Sequence, residues 1–219
     1  MSWPAALPLA YLIGSVPTSI LVGRLFFRTD IRRHGSGNAG ASNAFRVFGT
    51  AAGLAVVAVD IGKGALAVAT VGLFPSPAVV APPVAAFLIG IAAVVGHVFS
   101  IFARFRGGKG VATAGGVLLA LYPLSFAGAL LVFLLALVCS GYTSLGSILA
   151  AVSFPFLTLA VSGLGVHDIP LFLRYLSVPL ALFILFTHRS NIKRLLRGEE
   201  NRFERIMILR RLFHRRRSS

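Results

Sequence analysis

Long apolar runs recur along this 219-residue chain, at 5–27, 49–73, 83–102, 145–164 and 171–187, each bounded by basic residues or by proline and glycine. A bilayer core roughly 30 Å thick is crossed by about 20 apolar helical residues, so runs of this size predict membrane-spanning helices. In lipid the backbone N–H and C=O groups have no water to bond, and the helix satisfies them within the segment. Hydrophobic residues make up 57% of the chain and charged residues only 12%, about half the charged share of a soluble domain. A water-soluble globule is excluded, and so is intrinsic disorder. The first run reads as a retained helix and not a signal peptide, because no positive segment precedes it and Arg24, Arg28, Arg32 and Arg33 follow it.

The chain carries 21 Lys and Arg against 6 Asp and Glu, a formal charge of +15. Such a balance suits nucleic acid, an anionic lipid surface or an anionic substrate, and the placement of the charges discriminates among them. They gather in three clusters between apolar runs: Arg24 to Arg46, Arg104 to Lys109, and Arg189 to Arg217. That is the positive-inside pattern of a membrane protein, not the footprint of a nucleic-acid binder. The stretch 111–138 is long for one span and short for two, and Tyr122-Pro123 interrupts it. If it crosses twice, all three basic clusters share one face and the loops near Pro75, Tyr122 and Gly165 carry no Lys or Arg. This arrangement predicts an all-α protein of seven transmembrane helices, two of them short, with the N-terminus outside and the C-terminus in the cytoplasm. One membrane domain over 1–200 is expected, followed by a basic tail over 201–219. Phe203, Ile206, Leu209 and Phe213 fall at helical spacing in that tail, which reads equally as an amphipathic surface helix or a disordered basic end.

The segment after the first run, DIRRHGSGNAGASNAFR, places Gly35, Gly37 and Gly40 among Ser36, Asn38, Ser42, Asn43 and Arg46. Glycine permits close backbone approach, the amides and hydroxyls supply hydrogen bonds, and the Arg46 fork fits a phosphate. The loop therefore reads as an oxyanion holder. A second candidate is GGKG, Gly107, Gly108, Lys109 and Gly110, directly before an apolar helix whose exposed N–H groups and dipole attract phosphate. It is not a Walker A loop, since position 103 is Ala and position 110 is Gly. His97 precedes it within an apolar run, either as a functional group or as a satisfied bundle residue. Asp60 and Lys63, three apart in the second run, read as a structural ion pair. Thr143 and Ser144 suit helix packing as well as substrate contact. His188 and Asn191 share a helical face with Arg194 beyond them.

One cysteine and five scattered histidines offer no metal-ligand spacing, so no metal and no cofactor are expected. No Ser is accompanied by an evident His and acid, and none of the histidines has an Asp five positions later, so neither a triad nor a His-x4-Asp acyltransferase signature is present. An acyl group transferred at such a site must arrive already activated. An acyl phosphate fits, because phosphate leaves readily once cations stabilise it.

GSGNAGASN, GGKGVAT and HRSN followed by GEE resemble the three cytoplasmic motifs of the bacterial membrane glycerol-3-phosphate acyltransferases that use acyl phosphate, the PlsY family. The resemblance runs from Gly14 to Glu199. It implies a seven-helix inner-membrane protein, active at the cytoplasmic face, that acylates the sn-1 hydroxyl of glycerol 3-phosphate to lysophosphatidic acid with release of phosphate. Carried over by position, it implies catalytic roles for Ser36, His97, Lys109, His188 and Asn191, and substrate contacts from the glycines, from Asn38, Asn43 and Arg46, and from Thr143, Ser144 and Glu199. Ser42 replaces the family's usual Thr, and Ser100 stands where the family commonly has Pro. The expected partners are glycerol 3-phosphate, acyl phosphate and membrane lipid, with no nucleic acid, and the expected state is a monomer. Two proton routes stay open, one through substrate phosphate and one through His188 as general base. The alternative class is an organophosphate or lipid transporter, against which stands the lack of an internal repeat.

Overall fold

A computed structural model describes residues 3–74, 82–166 and 169–203. Among them there is no β-strand, and α-helices follow one another through short loops and 3-10 turns. The first apolar run is two helices, α1 (Ala6–Ser15) and α2 (Thr18–Phe27). The break falls at Val16-Pro17, where the proline ring lacks an N–H and pushes its predecessor out of the helical region. A short α3 (Ala41–Phe48) leads into α4 (Thr50–Ala69), and α5 (Pro82–Val98) ends before the basic loop. Then come α6 (Val111–Leu121), α7 (Pro123–Ser140), α8 (Thr143–Gly163), α9 (Leu171–Thr187) and α10 (Arg189–Leu196).

Five helical segments among the described residues are long and apolar enough to cross a membrane: Ala6–Phe27, Thr50–Leu73, Pro82–Ala103, Pro123–Ser140 and Thr143–Gly163. Helices α9 and α10, bent by 61° at His188, make a sixth if counted together, and α6 is apolar but short. One expectation is corrected here. Both helices flanking Tyr122-Pro123 were expected to be short, yet α7 has 18 residues against 11 in α6. Pro123 is the first residue of α7, the position where a missing N–H costs nothing, so it starts a full-length helix. The expected turn around Pro75 and the tail beyond Phe203 lie mostly or wholly outside the described residues.

The contacts divide the chain into two compact units, Met1–Pro123 and Leu124–Ser219. In the first, glycines let helix backbones touch. A Cβ at Gly14 of α1 would strike the Ala93 carbonyl of α5, and one at Gly96 of α5 would strike the Tyr11 carbonyl of α1. Gly64 of α4 lies likewise against the Thr113 carbonyl of α6, and Gly116 of α6 against the Ile61 carbonyl of α4. Lipid tails are as apolar as the helices, so such close van der Waals packing carries the association. Ala6, Ala10, Ala67, Ile89 and Ala93 form the small-residue core between α1, α4 and α5. Leu54, Val59 and Leu66 of α4 are exposed, as befits a face turned to hydrocarbon. In the second unit Gly128 of α7 meets Leu157 of α8, and Gly146 of α8 meets Phe133 of α7. Replacing Gly116 by Leu should lower thermal stability in detergent by about 1–3 kcal/mol through overpacking. Gly62→Leu, with no atom within 4 Å of where its Cβ would stand, should leave the melting temperature near wild type.

Candidate phosphate-binding loops

The loop between α2 and α3 is built around one buried side chain. Asn43, in the first turn of α3 and 1% exposed, accepts from the Ser36 N–H through Oδ1 at 2.9 Å. Its Nδ2 donates to the carbonyls of His34 at 3.0 Å, Asn38 at 3.1 Å and Ile31 at 3.3 Å. Gly35 and Gly37 have φ of 59° and 71°, and a Cβ at Gly35 would overlap Asn43 Oδ1. Glycine is required there both for the left-handed backbone and for the close approach. Ser36 at the loop's tip is exposed, Gly40 starts α3, and Arg46 lies half-buried in its last turn. Asn43 thus shapes the loop from below, and Ser36 faces outward from it.

The second loop is folded back onto the end of α5. The N–H groups of Gly107 and Gly108 donate to the carbonyls of Val98 and His97 at 3.1 and 3.2 Å. A Cβ at Gly107 would collide with the His97 carbonyl, and one at Gly108 with His97 Nε2. Gly110, with φ of 83°, caps α6 at its N-terminus, and the half-buried Lys109 sits immediately before it. Two contacts join this loop to the first. A Cβ at Gly108 would come within 2.9 Å of the Ala39 carbonyl, and the Arg32 guanidinium donates to the Ala103 carbonyl at 3.0 Å. Arg32 is held in turn by Asp30, whose oxygens lie 2.7 to 3.3 Å from its guanidinium nitrogens.

The hydrogen bonds from Arg32 bring the Asp30 carboxyl down from 3.8 to about 2, with the Arg24 charge adding to them. A depressed carboxyl pKa stabilises the folded loop above the ordinary value, and that stabilisation is lost only as pH falls from 3.8 toward about 2. The clamp is therefore intact at neutral pH. Ser100 makes two contacts that a proline at that position could not. It caps a 3-10 turn by accepting from the Ala103 N–H at 3.2 Å, and it donates to the Ser15 carbonyl at the break after α1.

The second unit gathers the remaining predicted residues. His188 sits at the α9–α10 bend, 2% exposed, with Nδ1 placed 2.8 Å from the Ile184 carbonyl. A neutral imidazole donating from Nδ1 presents Nε2 as an acceptor. Asn191 donates to Glu200 at 2.9 Å, and Arg194 holds the other oxygen of the same carboxylate at 2.8 Å. The side chain of Glu199, to which the sequence pointed, is exposed, and among the described residues its N–H donates to the Arg194 carbonyl at 2.8 Å. Glu200 turns inward because Gly198, at φ of 72°, reverses the chain after α10. Arg202 then covers the Tyr142 ring at 4.7 Å, and the Phe203 N–H donates to the Gly141 carbonyl at 2.8 Å. This return segment lies beside Thr143 and Ser144 at the start of α8, where Ser144 Oγ is buried without a partner among the described residues. Arg32 and Glu200 are the two site-shaping residues that motif reading passed over. Their only sequence signals were Asp-x-Arg spacing and a second Glu after Gly.

Among the described residues no group of three or more His, Cys, Asp or Glu converges as a metal site. The chemistry available is anion binding: an arginine, a lysine, hydroxyls and the N-terminus of α6 beside apolar helices. Replacing Asn43 by Ala removes hydrogen bonds worth about 0.5–1.5 kcal/mol each. The expected result is faster proteolysis of the loop between α2 and α3, together with loss of anion binding in calorimetry.

A family model described as glycerol-3-phosphate acyltransferase matches residues 5–198. The chain is 47% identical over 225 residues to the glycerol-3-phosphate acyltransferase of Chlorobaculum tepidum, covering 92% of this chain and 97% of that protein. Its similarity to the enzyme of the same name from Chlorobaculum parvum is 44% over 229 residues, with the same coverage. Among solved structures, it resembles crystal structures of PlsY, an integral membrane glycerol 3-phosphate acyltransferase. The glycerol 3-phosphate form aligns with a TM-score of 0.81 at 34% identity, and the lysophosphatidic acid form with 0.78 at 32%. Each alignment covers 94% of this chain and 98% of the other.

Proposed function

The chain belongs to the glycerol-3-phosphate acyltransferase family, and on that premise we propose that it is a membrane acyltransferase moving a fatty acyl chain from acyl phosphate to the sn-1 hydroxyl of glycerol 3-phosphate, yielding lysophosphatidic acid and phosphate. The observation that carries this reading is the seating of the two glycine loops side by side, Ala39 against Gly108 and Arg32 on Ala103. Two anionic groups held by adjacent loops are what transfer between two phosphorylated substrates requires. Arg46 and the loop around Ser36 bind one phosphate, and Lys109 with the N-terminus of α6 binds the other. The substrate hydroxyl oxygen attacks the acyl carbon, the bond from that carbon to the phosphate oxygen breaks, and the hydroxyl proton passes to phosphate. Ser36 donates a hydrogen bond and does not carry the acyl group, for no base supported by a carboxylate stands beside it among the described residues. The resemblance assigns substrate-orienting roles to His188, Asn191, Thr143 and Ser144, and His97 braces the GGKG loop. Orientation of this kind supplies up to roughly 7–11 kcal/mol in favourable cases.

We place the protein in the bacterial inner membrane as a monomer, with seven crossings, the N-terminus outside and the site at the cytoplasmic face. The three basic clusters support that orientation.

Purified protein given acyl phosphate and labelled glycerol 3-phosphate should form lysophosphatidic acid. Lys109→Ala and Arg46→Ala should each lose roughly 10- to 150-fold in kcat/KM, the worth of a charge-assisted contact, while Arg197→Ala at an exposed position should change little. Label trapped on Ser36 by acyl phosphate alone would mean a covalent route instead. The orientation is checked by cysteine labelling in a Cys139→Ser background. A reagent confined to the periplasm should modify Leu164→Cys and spare Arg106→Cys and Arg197→Cys, and the reverse pattern would invert the topology.

A further inference from the structure

A buried polar cluster lies between α2, α4 and α5, beneath the GGKG loop. Asp60 and Lys63 of α4 are 2% and 6% exposed and form an ion pair at 2.8 Å. The same carboxylate oxygen, Oδ1, accepts from the Thr18 hydroxyl at 2.8 Å. Lys63 also donates to the Val16 carbonyl at 2.9 Å, at the break that Pro17 introduces. As a pair the two groups would only pin α2 to α4. His97 makes the cluster more than a staple.

The His97 ring, 7% exposed, has Nδ1 at 3.7 Å from Asp60 Oδ1. Its opposite edge, Nε2, faces Gly108 so closely that any side chain there would overlap it, and its carbonyl receives the Gly108 N–H. The ring is wedged between a carboxylate and the loop. A distance of 3.7 Å is too long for a hydrogen bond, but the carboxylate still biases the nitrogen that faces it, with Lys63 opposing that bias in part. A neutral imidazole has one N–H and one bare nitrogen, and the side turned to a carboxylate favours the N–H.

We propose that Asp60, held by Thr18 and Lys63, is a positioning residue that fixes the His97 ring with its proton on Nδ1, so that the bare Nε2 edge packs against Gly108 and sets the GGKG loop for phosphate binding. The proposal rests on the acyl-transfer reading for its consequence but not for its geometry. It assigns Asp60 a role beyond helix pairing, and Thr18 the support of that role. Lys63 balances the carboxylate charge inside the apolar bundle.

The test reads the ring directly. In protein carrying 15N-histidine, with His97 assigned by the resonances lost in His97→Gln, the expected signature is a neutral ring protonated at Nδ1. A ring protonated at Nε2, whether neutral or cationic, overturns the proposal on wild-type protein alone. The double variant Asp60→Asn/Lys63→Met removes both charges together and avoids leaving one buried alone. It should keep a melting temperature close to wild type, shift the His97 proton toward Nε2, and lose roughly 10- to 100-fold in kcat/KM, mostly through KM, as a displaced binding loop does. Thr18→Val should move the same His97 signals in the same direction by less. Wild-type kinetics and wild-type His97 signals in the double variant would reduce Asp60 to a helix staple. Because the ring signals involve no substrate, wild-type protein that forms no lysophosphatidic acid would overturn the acyl-transfer reading and leave the Asp60 assignment standing.

Discussion

The close approach of helix backbones at glycine is the contact on which the rest of the first unit depends. Gly14, Gly64, Gly96 and Gly116 bring carbonyls of a neighbouring helix to where a side chain would otherwise stand. Within the bundle so packed, Asp60 of α4 meets Thr18 of α2 and Lys63 meets the Val16 carbonyl. The loops that leave α2 and α5 meet in turn through Arg32 and Gly108. In hydrocarbon there is no hydrophobic force between helices to compensate for a poor fit.

The loops show how a flexible composition becomes a rigid binding surface. Glycines make the approach to an anion feasible, but by themselves they would leave an entropic ensemble. Asn43 removes that freedom with four hydrogen bonds from one amide, and it does so from a helix, an anchored element. The GGKG loop is fixed by a different device, its N–H groups being tied to the carbonyls left over at the end of α5. Both fix the backbone in one shape, and a preorganised surface is what electrostatic stabilisation of an anion requires.

Residue by residue, the motifs were legible and the division of labour within them was not. Asn43 reads in sequence as one more polar side chain for a substrate, yet its amide is wholly engaged by the loop that holds Ser36. Glu199 and Glu200 are indistinguishable in the run GEE, and only the reversal at Gly198 turns one inward and the other out. Pro123 reads as a helix breaker, and its place at the first position of α7 makes it a helix starter. The break at Val16-Pro17 lay inside a run that hydropathy treats as continuous. In each case the ambiguity is one of direction, since a residue type specifies what it can bond and not which neighbour it will meet.

The sequence by itself determined the helical class, the placement of most apolar segments, the basic sign of the charged loops and the three motifs that identify the family. These follow from composition and spacing, because burying backbone in lipid and meeting phosphate with glycine and basic residues are requirements on local stretches of chain. Tertiary structure alone decided that Asp60, read as half of an ion pair, also faces His97, that Arg32 bridges two loops far apart in the chain, and that Ser100 both caps a turn and ties it to α1. Such contacts join residues remote in sequence. Their partners are set by how closely the helices pack, and no periodicity along the chain records that.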